Sequence, residues 1–245
     1  MPRYLGMTAL AVPMLLMAVA APAQQQAGKT TKMPLAPNTL SPAEEKEGWK
    51  LLFDGSSTSG FRGFKLDTMP SYWMAMDGSL MKEKPTRDII TKDKYKNFEL
   101  QVDWKVARGG NAGIFYRGTE EYDAIYWSAP EYQLLDDKVH PDGKNRMTAA
   151  GAVYGMYASP AGFVKAANEW NHTRLIVKGD HVEHWLNGHK MVSYTLGSKD
   201  WAARVAKSKF KAFPNYGKAS EGYIGFQGGE DGTLALRNIK IRVLP

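Results

Sequence analysis

Between Phe98 and Val106 every second residue is apolar: Phe98, Leu100, Val102, Trp104 and Val106 alternate with Glu99, Gln101, Asp103 and Lys105. A period of two marks a strand with one face in a core and the other wet, whereas a helix would scatter these five side chains around its axis. The same texture continues downstream. Gly109-Gly-Asn111 turns the chain into Ala112–Arg117, and Arg174–Val177, Val182–Leu186 and Met191–Thr195 read as a meander. Its turns are Gly179-Asp180 and Asn187-Gly188, the second a two-residue hairpin signal. The last strands are Gly222–Gln227 and Thr233–Val243. In the latter, Leu234 and Leu236 share one phase, while Ile239, Ile241 and Val243 take the other, which predicts a bulge near Arg237-Asn238. One segment, Lys199–Lys209, has helical spacing in Trp201, Val205 and Phe210, supported by Ala202, Ala203 and Ala206. Many short strands and one short helix predict an all-β, two-sheet sandwich.

The N-terminus follows different rules. Arg3 precedes an apolar stretch from Leu5 to Ala20 that Pro13 interrupts, and Ala21-Pro-Ala23 follows. A basic start, a short apolar segment and an A-x-A site describe a secretory signal peptide over 1–23, shorter than a membrane span requires. Residues 24–46, rich in Gln, Ala, Pro, Lys and Thr, read as a flexible leader, and 47–245 as the β-sandwich domain. The chain has no Cys, which excludes disulfides, lipid attachment and thiolate chemistry. That fits a periplasmic or secreted bacterial protein with no membrane anchor once the signal is removed. The formal charge of +7 is spread among acidic residues, and no basic run suggests nucleic-acid binding.

The strand Glu131-Tyr-Gln-Leu-Leu-Asp136 is unusual. Its parity puts Tyr132 and Leu134 on one face and Glu131 with Gln133 on the other. Arg117 shares parity with Phe115, and Gln227 with Tyr223. If these strands are neighbours, Arg117, Glu131, Gln133 and Gln227 converge on a concave face, with Trp73, Tyr126, Trp127 and Tyr154 available to stack on sugar rings. Asp136 either joins this set or pins a loop. Of the five histidines, His181 and His184 point to opposite faces of a strand, so one ion cannot take both there. The histidines are expected to be exposed or capping, with His140, near Asp142, in reach of the strand end. No G-x-S-x-G and no phosphate-binding loop occurs. No cofactor is evident, although a divalent metal is possible.

Nine motifs in order, Trp49-Lys-Leu-Leu-Phe-Asp-Gly55, Asn97-Phe-Glu-Leu100, Asn111-Ala-Gly-Ile-Phe-Tyr-Arg117, Glu131-Tyr-Gln-Leu-Leu-Asp136, Glu169-Trp-Asn171, Val182-Glu-His-Trp-Leu-Asn-Gly188, Ser208-Lys-Phe210, Gly222-Tyr-Ile-Gly-Phe-Gln227 and Arg237-Asn-Ile-Lys-Ile241, resemble the 3-keto-disaccharide hydrolase family. The resemblance covers about residues 47–244. It implies a concanavalin-like jelly roll, export, and action on glycosides oxidised at carbon 3. It also implies roles: Glu131 as base for the carbon 2 proton, Arg117 as stabiliser of the enolate, and Gln133 and Gln227 as hydroxyl binders. One departure stands out. Where the family continues Ile-x-x-Gln with Asp-His-Gly, this chain has Gly228-Gly-Glu-Asp-Gly232, so Glu230 or Asp231 replaces that histidine or the activity is absent. The competing expectation is a lectin-like module on the same scaffold that binds carbohydrate without cleaving it.

Overall fold

A computed structural model describes residues 1–2 and 35–245. The signal peptide and the first part of the leader fall largely outside the described residues. Thirteen strands are present among those described: β1 Lys50–Leu51, β2 Phe61–Gly63, β3 Trp73–Met76, β4 Ser79–Lys82, β5 Ile89–Thr91, β6 Phe98–Val106, β7 Asn111–Gly118, β8 Glu131–Leu135, β9 Asn171–Lys178, β10 His181–Leu186, β11 His189–Thr195, β12 Tyr223–Phe226 and β13 Leu234–Val243. They form two antiparallel sheets. One runs β11-β10-β9-β6-β13-β4-β3, with β1 also paired to β13, and the other runs β2-β5-β12-β7-β8. The expected all-β jelly-roll sandwich is therefore the fold.

The alternation in β6 does what its pattern predicts. Phe98, Leu100, Val102, Trp104 and Val106 are buried, and the indole Nε1 of Trp104 donates to Thr173 Oγ1 at 2.9 Å, so its one polar atom enters the core satisfied. The predicted bulge in β13 is present: its register against β6 shifts between Arg237 and Lys240, and Asn238 sits at φ +51°. This swaps the phase, so that Leu236 on one side of the bulge and Ile239 and Ile241 on the other all reach the core.

Helical structure exceeds the one expected segment. Helix α1 (Pro42–Lys46) carries a capping box in which the Ser41 side chain accepts from Glu44 N and Glu44 reaches back to the Ser41 amide. Helix α2 (Lys199–Lys207) starts at Ser198, whose Oγ accepts from Trp201 N. A 3₁₀ turn, Lys209–Ala212, follows it directly. Behind these two elements five aromatic rings form a column. Tyr157, Tyr194, Trp201, Tyr216 and Phe210 stack with centroid spacings of 4.8, 5.4, 5.5 and 4.1 Å.

Residues 35–46, expected as leader, make specific contacts with the sandwich. Asn38 is buried and exchanges two bonds with Asn238: each backbone N–H donates to the other's side-chain oxygen, at 2.6 and 2.8 Å. Asn38 Nδ2 also donates to Gly78 O at 2.8 Å. Glu44 pairs with Lys240. Residues 35–46 were read as leader because their composition is polar and Pro-rich. Their docking rests on side-chain to backbone bonds that leave no hydrophobic period.

The Asn38–Asn238 exchange is expected to hold the N-terminal segment and the bulge together. Asn238→Ala should lower unfolding stability by about 2–3 kcal/mol, because it orphans a buried amide and leaves Ala at positive φ. Asn38→Ala should cost a similar amount, and the double variant distinctly less than the sum, as chemical denaturation of the four proteins would show.

Candidate active site

Pleating and pairing bring the candidate residues together. In β7 and β8, Phe115 pairs with Glu131 and Gly113 with Gln133. Gln227, directly after β12, donates its backbone N–H to Gly113 O at 3.0 Å. Glu131, Gln133 and Gln227 therefore lie on one face of three adjacent strands, while Tyr132, Leu134 and Ile114 fill the core on the other. The free edge of β8 is covered. Gly151 N and Tyr154 N donate to Gln133 O and Glu131 O, and Gln133 N donates to Ala152 O. All five residues of β8 are buried in consequence. Its polar face is desolvated rather than wet.

These groups line a pocket of about 170 Å³ together with Asn111, Tyr126, Tyr154, Lys209 and Glu230. The carboxyl of Glu131 lies over Gly113. A Cβ at residue 113 would come within 2.1 Å of Glu131 Oε1, so only glycine leaves room for this rotamer. No hydrogen bond from the protein reaches the Glu131 carboxyl among the described residues, and burial pushes its pKa from 4.5 up to about 8. Lys209 opposes that rise, and Asp88, Glu230 and Asp142 add to it. Gln133 gives Nε2 to Asn111 Oδ1 at 2.9 Å, which turns its Oε1 away without a partner; Gln227 Oε1 is likewise buried and unpartnered. Lys209 is held over the faces of Tyr154 (4.7 Å) and Tyr126 (5.7 Å).

The loop after Gln227 is pinned from below. Gly228 N donates to Asp88 Oδ1 at 2.7 Å, Thr86 N donates to Gly228 O at 2.9 Å, and the buried Lys82 ammonium donates to Glu230 O. Gly228 has no space for a side chain, since a Cβ would sit 2.3 Å from Arg87 O. Residues 228–232 thus bring Glu230 to the pocket wall, while Asp231 is not among the lining residues.

Several expectations need correction. Arg117 does not line this pocket. Tyr223 pairs with Gly118 and Gly225 with Phe115, so Tyr116 and Arg117 together face Ile224, and Arg117 takes φ +52°. The bulge breaks its parity with Phe115. Its guanidinium donates instead to Lys96 O and Gly179 O, carbonyls of the facing sheet's strand ends. Trp73 is a core residue whose Nε1 donates to Arg87 O at 3.0 Å. Trp127 stacks on Phe213 at 4.8 Å rather than facing the pocket. Asp136 takes the loop-pinning alternative, accepting from Gly109 N and Lys138 N. His140 caps a turn through Asp142 N.

His184 is neither exposed nor capping. It is fully buried between Tyr116 OH and Gly151 O, and burial lowers its pKa to about 3, so it stays neutral. Of the residues proposed from the strand pattern and its aromatics, Glu131, Gln133, Gln227, Tyr126 and Tyr154 meet. Lys209 and Asn111 were missed. Each belongs to a motif already singled out, Ser208-Lys-Phe210 and Asn111–Arg117, and is the polar member of an otherwise apolar string. Among the described residues no three His, Cys, Asp or Glu side chains cluster as metal ligands.

The chain is similar to known proteins over most of its length. Residues 48–242 match the family model of the 3-keto-alpha-glucoside-1,2-lyase-like domain. A 3-keto-disaccharide hydrolase of Bacteroides thetaiotaomicron is 34% identical over 232 residues, covering 82% of this chain and 80% of the relative. A crystal structure from Parabacteroides distasonis, provisionally designated a glycosyl hydrolase, superposes with TM-score 0.80 at 34% identity, covering 86% of this chain and 100% of its own. A second from the same organism, with the same designation, gives TM-score 0.65 at 30% identity over 80% of this chain and 99% of its own.

Burial of Glu131 has a measurable sign. Its folded pKa, about 8, lies above the ordinary 4.5. The fold thus favours the protonated form, and stability is lost as pH rises from about 4.5 through 8. Glu131→Gln keeps the shape without the charge. Relative to wild type it should gain roughly 2–4 kcal/mol at pH 8.5 and little at pH 4.5. Denaturant unfolding at the two pH values checks this, and a difference independent of pH would place the carboxyl in water.

Proposed function

The chain belongs to the 3-keto-alpha-glucoside-1,2-lyase-like family, and from that premise we propose that it is an enzyme that cleaves glycosides oxidised at carbon 3, 3-keto-disaccharides among them. The observation that carries the reading is the Glu131 carboxyl, buried over Gly113 and without a protein hydrogen bond, in a pocket that an ammonium and two amides also line.

A ketone at carbon 3 acidifies the hydrogen on carbon 2. A carboxylate with a raised pKa is a stronger base than an ordinary one. Glu131 takes the carbon 2 proton, and the electron pair moves onto the carbon 3 oxygen as an enolate. Lys209, held on Tyr126 and Tyr154, is the cation available to that oxygen, the role first expected of Arg117. The enolate returns its electrons and breaks the bond from carbon 1 to the glycosidic oxygen, which takes up a proton and leaves as an alcohol. Water then adds across carbons 1 and 2, hydroxyl to carbon 1 and hydrogen to carbon 2, and the net change is hydrolysis. Gln133 and Gln227 orient the ring through unpartnered amide oxygens, which accept from sugar hydroxyls. The signal sequence read in residues 1–23 supports a periplasmic or secreted location for this chemistry.

The lectin-like alternative draws on the same amides and tyrosines, which suffice to hold a sugar. It gives no account of Glu131, since a binder gains nothing by destabilising itself with a buried, unpaired carboxyl.

Release of the aglycone from 3-keto-glucosides tests the proposal directly. Glu131→Gln should lower kcat by roughly 10²–10⁴ while affinity for the unoxidised glycoside changes little. The kcat/KM of the wild type should rise with pH toward a plateau above about 8. Lys209→Met should lower kcat by about 10²–10³ and move that limb to higher pH, because the ammonium that favours ionised Glu131 is gone. Full turnover by Glu131→Gln would move the base elsewhere, with Glu230 next. Sugar binding by the wild type without cleavage of any 3-keto-glycoside would favour the lectin-like alternative.

A further inference from the structure

The pocket around Glu131 has a neighbour. A second recess of about 400 to 500 Å³ is lined by Thr86, Arg87, Asp88, Asp123 and Ala124, and shares Tyr126, Gln227 and Glu230 with the first (460 Å³ against 170 Å³). The smaller is sized for one pyranose ring and little more. The three shared residues form the partition, so a molecule with one ring beside Glu131 and a substituent at carbon 1 has this larger recess as an adjoining space. Neither the strand pattern nor the family motifs single it out.

We propose that this second recess is the leaving-group subsite, and that it takes a neutral, hydroxyl-rich group such as a second sugar ring. The inference rests on the reading of the Glu131 pocket as the place where the oxidised ring is cleaved. Its chemistry is that of hydroxyl recognition. Asp88, Asp123 and Glu230 offer carboxylate acceptors, Thr86 a hydroxyl and Arg87 a guanidinium. The acids are not in excess: Lys65 Nζ pairs with Asp123 at 3.1 Å, and the Lys82 ammonium lies behind Glu230. A balanced set of donors and acceptors favours a neutral polyol over a fully ionic ligand. The shared Tyr126 ring gives the apolar face that a pyranose needs to stack on.

The wall is also preorganised. Asp88 accepts from Gly228 N through one carboxylate oxygen, which fixes the turn that brings Gln227 and Glu230 to the partition. On this assignment the replacement loop 228–232 has a role of its own. It sets a carboxylate, Glu230, between ring and leaving group.

The test compares substrates of different length on the wild type and on Ala124→Phe, which fills the recess from a position outside the Glu131 pocket. With a 3-keto-disaccharide and a methyl 3-keto-glucoside as substrates, Ala124→Phe should lower kcat/KM for the disaccharide at least about tenfold more than for the methyl glycoside. Equal losses on both would overturn the subsite. A second measurement does not need cleavage. The wild type should bind an unoxidised disaccharide about tenfold more tightly than its monosaccharide by calorimetry, and Ala124→Phe should remove that advantage. A wild type that cleaves no 3-keto-glycoside but keeps the disaccharide advantage would defeat the catalytic reading and leave the subsite standing. Cleavage without any disaccharide advantage would do the reverse.

Discussion

Everything at the candidate site depends on a strand that is dry on both faces. A strand's period of two allows β8 to send Tyr132 and Leu134 into the sandwich and Glu131 and Gln133 the other way, which is ordinary. The segment from Gly151 to Tyr154 hydrogen-bonds along its outer edge, and the walls of a small pocket close over its polar face. Little water is left to solvate the Glu131 carboxyl, and its weakened acidity follows from that burial. Gly113 is the complementary half of the device, because the acid lies flat only where the neighbouring strand carries no side chain.

Much of this was legible in the sequence, for reasons that can be named. Burial patterns with a period of two are local, so the strands, the β13 bulge and the polar pair in β8 could be read directly. Helix α2 ended two residues short of its expected limit, where the chain tightens into a 3₁₀ turn that begins at Lys209. The failures have one physical type. Arg117 was assigned by parity, and parity survives only until a bulge inserts a residue. That bulge shows itself in the pairing with β12, not in the residues of β7. Trp73 looked like a sugar platform because a tryptophan at a strand start carries no label for core or surface. Asn38 and His184 are held by partners 200 and 68 residues away, at Asn238 and Tyr116, and nothing local announces such distances.

The exchange of Arg117 for Lys209 changes the character of the site. A guanidinium bound to three backbone carbonyl contacts, as Arg117 is, has little left to offer a developing charge. An ammonium resting on tyrosine faces keeps its donors free, and its field acts on both the base and the oxygen where negative charge would gather. On the proposed mechanism one cation favours the ionised base and stabilises the oxygen that takes up the electron pair of the broken carbon 2–hydrogen bond.

Lys209 stands at the end of the aromatic column, next to Phe210, and the column runs back through Tyr216 to Trp201 on α2. A nine-residue helix on the surface has little stability of its own, and here its one buried residue, Trp201, is clamped in a stack of rings. The helix and the ammonium that opposes the rise of the Glu131 pKa are therefore seated along one continuous stack of rings, so the cation of the pocket and the surface helix share a single support.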